Sequence, residues 1–148
     1  MPSTQTIVRI TRQSGYQFLV DFGPAMSNLV VDEPPPLGHM TGPSPDQMLM
    51  AAVANCLSAS LTFALQKFKE DPGSLQAEVR ATIERNPQNR LRISRLSVHL
   101  QLGVDATQLP HIERALAQFE EFCTVSMSVR QGIAIDVAVS DGKGVRLR

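Results

Sequence analysis

The chain has 148 residues, 43% hydrophobic and 19% charged, a balance that suits one globular domain with its own core and excludes a disordered chain. Its 14 Lys and Arg residues offset 14 Asp and Glu residues, so there is no electrostatic case for nucleic acid or an anionic membrane, and only the short tail GKGVRLR is basic. Cys56 and Cys123 stand 67 residues apart and share no ligand spacing with His39, His99 or His111, which argues against a zinc site and, in a reducing compartment, against a permanent disulfide.

The N-terminal MPSTQTIVRITRQ is polar and alternating and has no apolar signal core, so the protein is expected in the cytoplasm. TIVRITR and YQFLVDF, joined through QSG, predict a β-hairpin with Tyr16, Phe18, Val20 and Phe22 on one face. NLVVDE predicts a short third strand. Pro34, Pro35 and Pro36 then forbid helix and sheet interior alike, so PPPLGHMTGPSP reads as a loop.

A helix starts sharply after it. Ser44 is the expected N-cap, Pro45 takes the first helical position, and Gln47 completes an S-x-x-Q capping box. Asp46 falls in the first turn, where the helix dipole favours a carboxylate. The helix is expected to run to Lys67 or Lys69, with EDPGS ending it. Its apolar run is long enough to span a membrane, but Asn55, Ser58, Ser60 and Thr62 interrupt it and no second span follows, so we read it as a core helix.

Next, Leu75, Ala77, Val79, Ala81 and Ile83 alternate with polar residues in a strand, and NPQNR turns the chain. The run from Leu91 to Leu102 alternates too, but its phase slips at Arg95 and Leu96, which predicts a bulge. His99 falls on the polar face. Ile112, Ala115, Leu116, Phe119 and Phe122 form one helical stripe that ends beside Cys123, and IAIDVAV is expected as the last strand. The order is βββ-α-ββ-α-β, an α+β domain over residues 1–148.

The first helix is apolar around most of its circumference, whereas a sheet covers only one side of a helix. The other side needs cover from a second subunit, so a homodimer is expected, with this helix central. A larger core within one chain is the alternative.

GPSPDQMLMAAVANCL resembles the signature of the OsmC/Ohr family, a Gly-x-x-Pro-acid helix start with a cysteine ten residues after the acid. FCTVSMSVRQGIAIDVAV resembles the family's second motif, a cysteine before a short helical turn and the last strand. The order of elements matches along nearly the full chain, and NLVVDE with GPSP is most similar to the OsmC-like branch. The resemblance implies an intertwined homodimer with shared sheets and two central helices packed between them. It also implies a thiol peroxidase that prefers organic hydroperoxides, needs no cofactor and is recycled by a dithiol such as a lipoyl group. By it, Cys56 matches the peroxidatic cysteine and Cys123 the resolving one. Asp46 stands where the family commonly has glutamate, the partner of an arginine that supports the thiolate. The Gly-rich early motif that carries this arginine in the peroxidase branch is missing here. Arg12 in TRQSG is the candidate and Arg9 the runner-up.

The chemistry explains why those residue types matter. A thiol with a pKa near 8.5 is mostly protonated at neutral pH, and an apolar setting raises it further. A guanidinium supplies charge and donors without ever deprotonating, and a carboxylate can hold it in place. Asp46 and Cys56 are ten residues apart on one helix, roughly 15 Å at about 1.5 Å per residue, so they cannot share a site within it. Antiparallel helices across a two-fold would bring Asp46 of one subunit toward Cys56 of the other. Met50, Val53, Leu57 and Met127 are candidates to hold the organic part of a hydroperoxide, or are plain core. The functional alternative to a peroxidase is a non-catalytic OsmC-like stress protein that binds an apolar ligand in the dimer pocket.

Overall fold

The capping box forms as the sequence dictates. In the computed structural model, which describes residues 2–132, the Ser44 Oγ accepts from the Gln47 N–H at 3.2 Å, and the Gln47 Oε1 accepts from the Ser44 N–H at 3.0 Å. Helix α1 follows over Pro45–Gln66 with Asp46 in its first turn. It ends where Lys69 takes a left-handed φ of 60° and the Glu70 N–H bonds back to the Leu65 carbonyl at 3.1 Å.

The described residues form two compact units, 2–55 with 76–101, and 56–75 with 102–132, and α1 runs from the first into the second. In the first unit β1 (Arg9–Ser14), β2 (Gln17–Asp21) and β3 (Leu29–Val31) make an antiparallel sheet in the order β1-β2-β3. Gly15, at φ 53°, makes the hairpin turn. Of the expected apolar face, Val20 is buried, Phe18 and Phe22 are half-buried, and Tyr16 is exposed. Strands β4 (Gln76–Arg85) and β5 (Leu91–Gln101) form a second, two-stranded antiparallel sheet. Its bulge lies at Ser94, beside the expected slip: Thr82 faces Arg95, and Ile83 faces Ile93.

Asp32 shapes the proline-rich loop. Its buried carboxylate accepts from the N–H groups of Glu33, His39 and Thr41 and from the Thr41 hydroxyl at 2.7 Å. These bonds, the Thr41 hydroxyl first, hold its pKa down at about 2. A Cβ at Gly42 would run into the Val30 carbonyl, so the loop passes β3 at a distance only glycine permits.

In the second unit, Leu57, Leu61, Ala64 and Leu65 of α1 are buried, as are Leu109 and Ala115. Complete burial of a leucine such as Leu65 is worth about 1.5–3 kcal/mol. The expected single second helix is three pieces: α2 (Ile112–Gln118), a 3₁₀ turn (Phe119–Phe122) and α3 (Thr124–Gln131). The expected second helix is thus divided, and Cys123 both closes the 3₁₀ turn and is the N-cap of α3. The expected last strand, IAIDVAV, and the basic tail lie outside the described residues.

Helix α1 is long and apolar enough to cross a membrane by length and composition, and 39% of its most apolar stretch is buried. Much of its apolar surface is therefore open in a single chain. Ile10 of β1, Ile83 of β4 and Leu91 of β5 are also exposed, at 60%, 46% and 56%. Large apolar side chains left open on two sheets and one helix are surface that an assembly would cover.

Candidate functional site

Two contacts secure the frame of the second unit. The Glu70 carboxylate accepts from the His111 backbone N–H at 3.0 Å and meets His111 Nδ1 at 2.6 Å, while the His111 ring stacks on Phe68. This ties the end of α1 to the start of α2. Phe63 of α1 meets Phe122 of the 3₁₀ turn edge-to-face, with centroids 5.3 Å apart. Lys67 lies over both rings, its Nζ 4.1 Å from the Phe122 centroid and 5.0 Å from that of Phe63.

Because Phe122 is pinned to α1, the next residue, Cys123, is set beside the same helix. Cys123 has extended backbone (φ −86°, ψ 93°) and is the N-cap of α3. Its Sγ accepts from the Ser126 N–H at 3.3 Å, the role a serine or aspartate oxygen usually plays. Cys123 is wholly buried and Cys56 is half-buried; both are free thiols, and each shifts the other's ionisation.

The pair is asymmetric. Burial pushes the Cys56 thiol up, and Cys123 pushes it further by taking its hydrogen bond and by its own charge. The Val125 N–H and the Ser60 hydroxyl pull it only partly back. For Cys123, burial also pushes up, but hydrogen bonding at its sulfur, with the Cys56 thiol first and the Ser126 N–H and Ser60 hydroxyl after it, outweighs it, so its net shift is down. Ser60, one turn beyond Cys56 and buried, thus serves both sulfurs. The sequence signal for it was the interruption of an apolar helix by a polar residue at i+4 from a cysteine.

Cys56 borders an open cavity of about 400 Å³ lined by Ala59, Ser60, Phe63 and Phe122. The aromatic walls were not singled out from the sequence, because both rings fit the apolar stripes of their helices. Of the expected pocket residues, Leu57 and Val53 are buried and Met50 and Met127 half-buried, and none of the four lines this cavity. Asp46 is exposed at the start of α1, and Arg12 is exposed with its Nε donating to the Gly15 carbonyl at 2.8 Å, within its own hairpin. Arg9 is exposed on β1. Among the described residues, no group of three or more His, Cys, Asp or Glu side chains is placed to hold a metal.

The family model described as OsmC-like protein matches residues 38–138. No curated protein matches the sequence. The fold is similar to that of an OsmC-like protein from Mycoplasma pneumoniae, with a TM-score of 0.70 at 14% identity, covering 89% of this chain and 91% of that one. It is also similar to an organic hydroperoxide resistance protein OsmC from Legionella pneumophila, with a TM-score of 0.62 at 19% identity, covering 88% and 92%. A third similar structure is an organic hydroperoxide resistance protein from Elizabethkingia anophelis, with a TM-score of 0.62 at 18% identity, covering 89% and 94%.

Proposed function

The chain belongs to the OsmC-like protein family, and from that premise we propose that it is a thiol peroxidase reducing organic hydroperoxides, with Cys56 as the attacking sulfur and Cys123 as the resolving one. One observation carries the reading: a half-buried thiol borders an apolar cavity, and a second, fully buried thiol lies near enough to shift its ionisation. The sulfur that substrate can reach is the one suited to attack, and the closed one is suited to follow.

As a thiolate, Cys56 attacks the distal oxygen of the hydroperoxide, becomes a sulfenic acid and releases the alkoxide. Cys123 then attacks the Cys56 sulfur and displaces its hydroxyl as water, leaving a disulfide. A dithiol reopens that disulfide by exchange. Ala59, Phe63 and Phe122 give an organic group apolar surface to cover, at about 0.8 kcal/mol per buried CH₂, which hydrogen peroxide cannot gain. Fold relatives whose names include organic hydroperoxide resistance support the same class.

We place this activity in a cytoplasmic homodimer, in which the apolar faces left open on α1, β1, β4 and β5 are covered by a second copy. In that dimer Asp46 of the partner subunit, with Arg12 or Arg9, would complete the surroundings of Cys56. Mixing Cys56→Ser chains with Asp46→Asn chains tests the sharing: recovered activity supports it, and inactive confirmed heterodimers end it.

The second reading, a stress protein that binds an apolar ligand without chemistry, draws on one observation: the Cys56 thiol is pushed up, not down. Consumption of cumene hydroperoxide with a dithiol, wild type beside Cys56→Ser, separates the two. Turnover that vanishes in the variant is the expected result. Equal, negligible rates in both would leave the binding role.

A further inference from the structure

Cys56, Ser60, Phe63 and Lys67 recur at intervals of three and four residues, so they share one face of α1 and its last turn. Lys67 follows the helix directly, and its N–H still bonds to the Phe63 carbonyl at 3.2 Å. Helical side chains lean toward the N-terminus, which brings the Lys67 stem back over Phe63. Its Nζ lies 5.0 Å from the Phe63 centroid and 4.1 Å from that of Phe122. The cation thus bridges two rings on different elements: Phe63 is built into α1, and Phe122 ends the 3₁₀ turn. Among the described residues Lys67 pairs with no carboxylate: Glu70 is committed to His111, Glu120 to Arg130, and Asp71 to the Gly73 N–H.

Cys123 follows Phe122 directly and closes the turn, its N–H bonding to the Glu120 carbonyl at 3.0 Å. The place of the Phe122 ring is therefore passed to the Cys123 sulfur through a single peptide. Phe63 and Phe122 are 48% and 38% exposed, so burial alone holds the two rings together weakly. A cation over both adds an electrostatic hold that fixes one ring against the other. We propose that Lys67 is a positioning residue: by clamping Phe122 to Phe63 it keeps Cys123 within reach of Cys56 for disulfide formation. Cys56 stands two turns before Phe63 on the same face of α1, so the clamp and the two sulfurs join the same two stretches of chain.

The bond that the clamp favours forms from either of two oxidants. With glutathione disulfide, the two protein thiols give up two hydrogens as their S–S bond forms, and the glutathione S–S bond breaks to two glutathione thiols. With a Cys56 sulfenic acid, the Cys123 thiol displaces the hydroxyl, and its hydrogen leaves with that hydroxyl as water. Both need one sulfur to reach the other, and a clamp raises the effective concentration of Cys123 at Cys56. The positioning role stands without the peroxidase reading; its use in resolving a sulfenic acid rests on that reading.

Equilibrating the full chain with reduced and oxidised glutathione, then alkylating it and measuring its mass, gives the equilibrium constant of the Cys56–Cys123 disulfide. Lys67→Met keeps an apolar stem and removes the charge, and should lower that constant about fivefold. Lys67→Arg keeps a cation over the rings and should stay within about twofold of wild type. A purely structural role would lower the urea midpoint and leave the constant of the folded chain unmoved. An unchanged constant in Lys67→Met overturns the proposal, as do equal losses in Lys67→Met and Lys67→Arg, or the absence of this disulfide from wild type. Phe122→Leu removes the ring and leaves Lys67 in place. It should lower the constant by itself, and adding Lys67→Met to it should then change little; a full second fivefold loss counts against the proposal. With cumene hydroperoxide, Cys56 sulfenic acid trapped by dimedone should last about fivefold longer in Lys67→Met than in wild type. A wild type that consumes no hydroperoxide ends the peroxidase reading, whereas the glutathione equilibrium still decides the clamp, so the two failures are distinct.

Discussion

Asp32 is a carboxylate whose value to the fold depends on pH in a known direction. Its pKa in the folded chain is about 2, against an ordinary 3.8, so the stability it contributes is fully present above the ordinary value and is lost as pH falls toward about 2. Asp32→Asn leaves one oxygen where two accepted, and sets an amide N–H₂ against backbone donors. We expect its urea midpoint to lie clearly below that of wild type at mildly acidic pH, with the gap closing as pH approaches about 2. At Gly42 the conflict is steric: Gly42→Ala puts a methyl group into the Val30 carbonyl and should cost more than about 2 kcal/mol in denaturant unfolding. At the sulfurs, one equivalent of cumene hydroperoxide should join Cys56 to Cys123 within a chain, seen as a mass lower by two hydrogens and its absence from Cys123→Ser.

At the scale of elements, the start of α1 is the best example of a local signal being enough. Ser44 and Gln47 exchange the two bonds their spacing predicts, and Ser44→Ala should cost about 1 kcal/mol in thermal or urea unfolding. The segment around Cys123 is the opposite case. Residues 112–122 carry an unbroken apolar stripe with no proline or glycine to interrupt it, so periodicity alone extends one helix through them. The chain instead tightens into a 3₁₀ turn at Phe119–Phe122, where Phe122 meets Phe63, and restarts at Cys123. That restart rests on a thiol as N-cap, a residue type outside the usual capping set. The edge-to-face pair also walls the cavity. Phe63→Ala should therefore reduce the preference for cumene hydroperoxide over hydrogen peroxide by about tenfold, read as the ratio of their kcat/KM values.

At the scale of the whole molecule, the question is how an apolar helix and two half-covered sheets stay in water. Burial within one chain reaches 39% of the most apolar stretch of α1 and leaves Ile10, Ile83 and Leu91 open. We expect sedimentation equilibrium at micromolar concentration to give twice the 16.2 kDa chain mass; a stable 16.2 kDa species would remove the shared-subunit part of the proposed function.

The sequence by itself determined the α+β class, the family, the positions of both cysteines, the hairpin, the capped helix and the neighbourhood of the β-bulge. These rest on periodicity, turn chemistry and capping, all of which act within a few residues. Tertiary structure decided what depends on distant residues meeting. Phe63 and Phe122, 59 residues apart, form one wall, and Ser60 of α1 meets Cys123, 63 residues further on. A thiol's readiness to ionise depends on the donors and charges within a few ångströms of it, and here some of those groups, Val125 and Cys123 for Cys56 and Ser60 for Cys123, lie far from it along the chain.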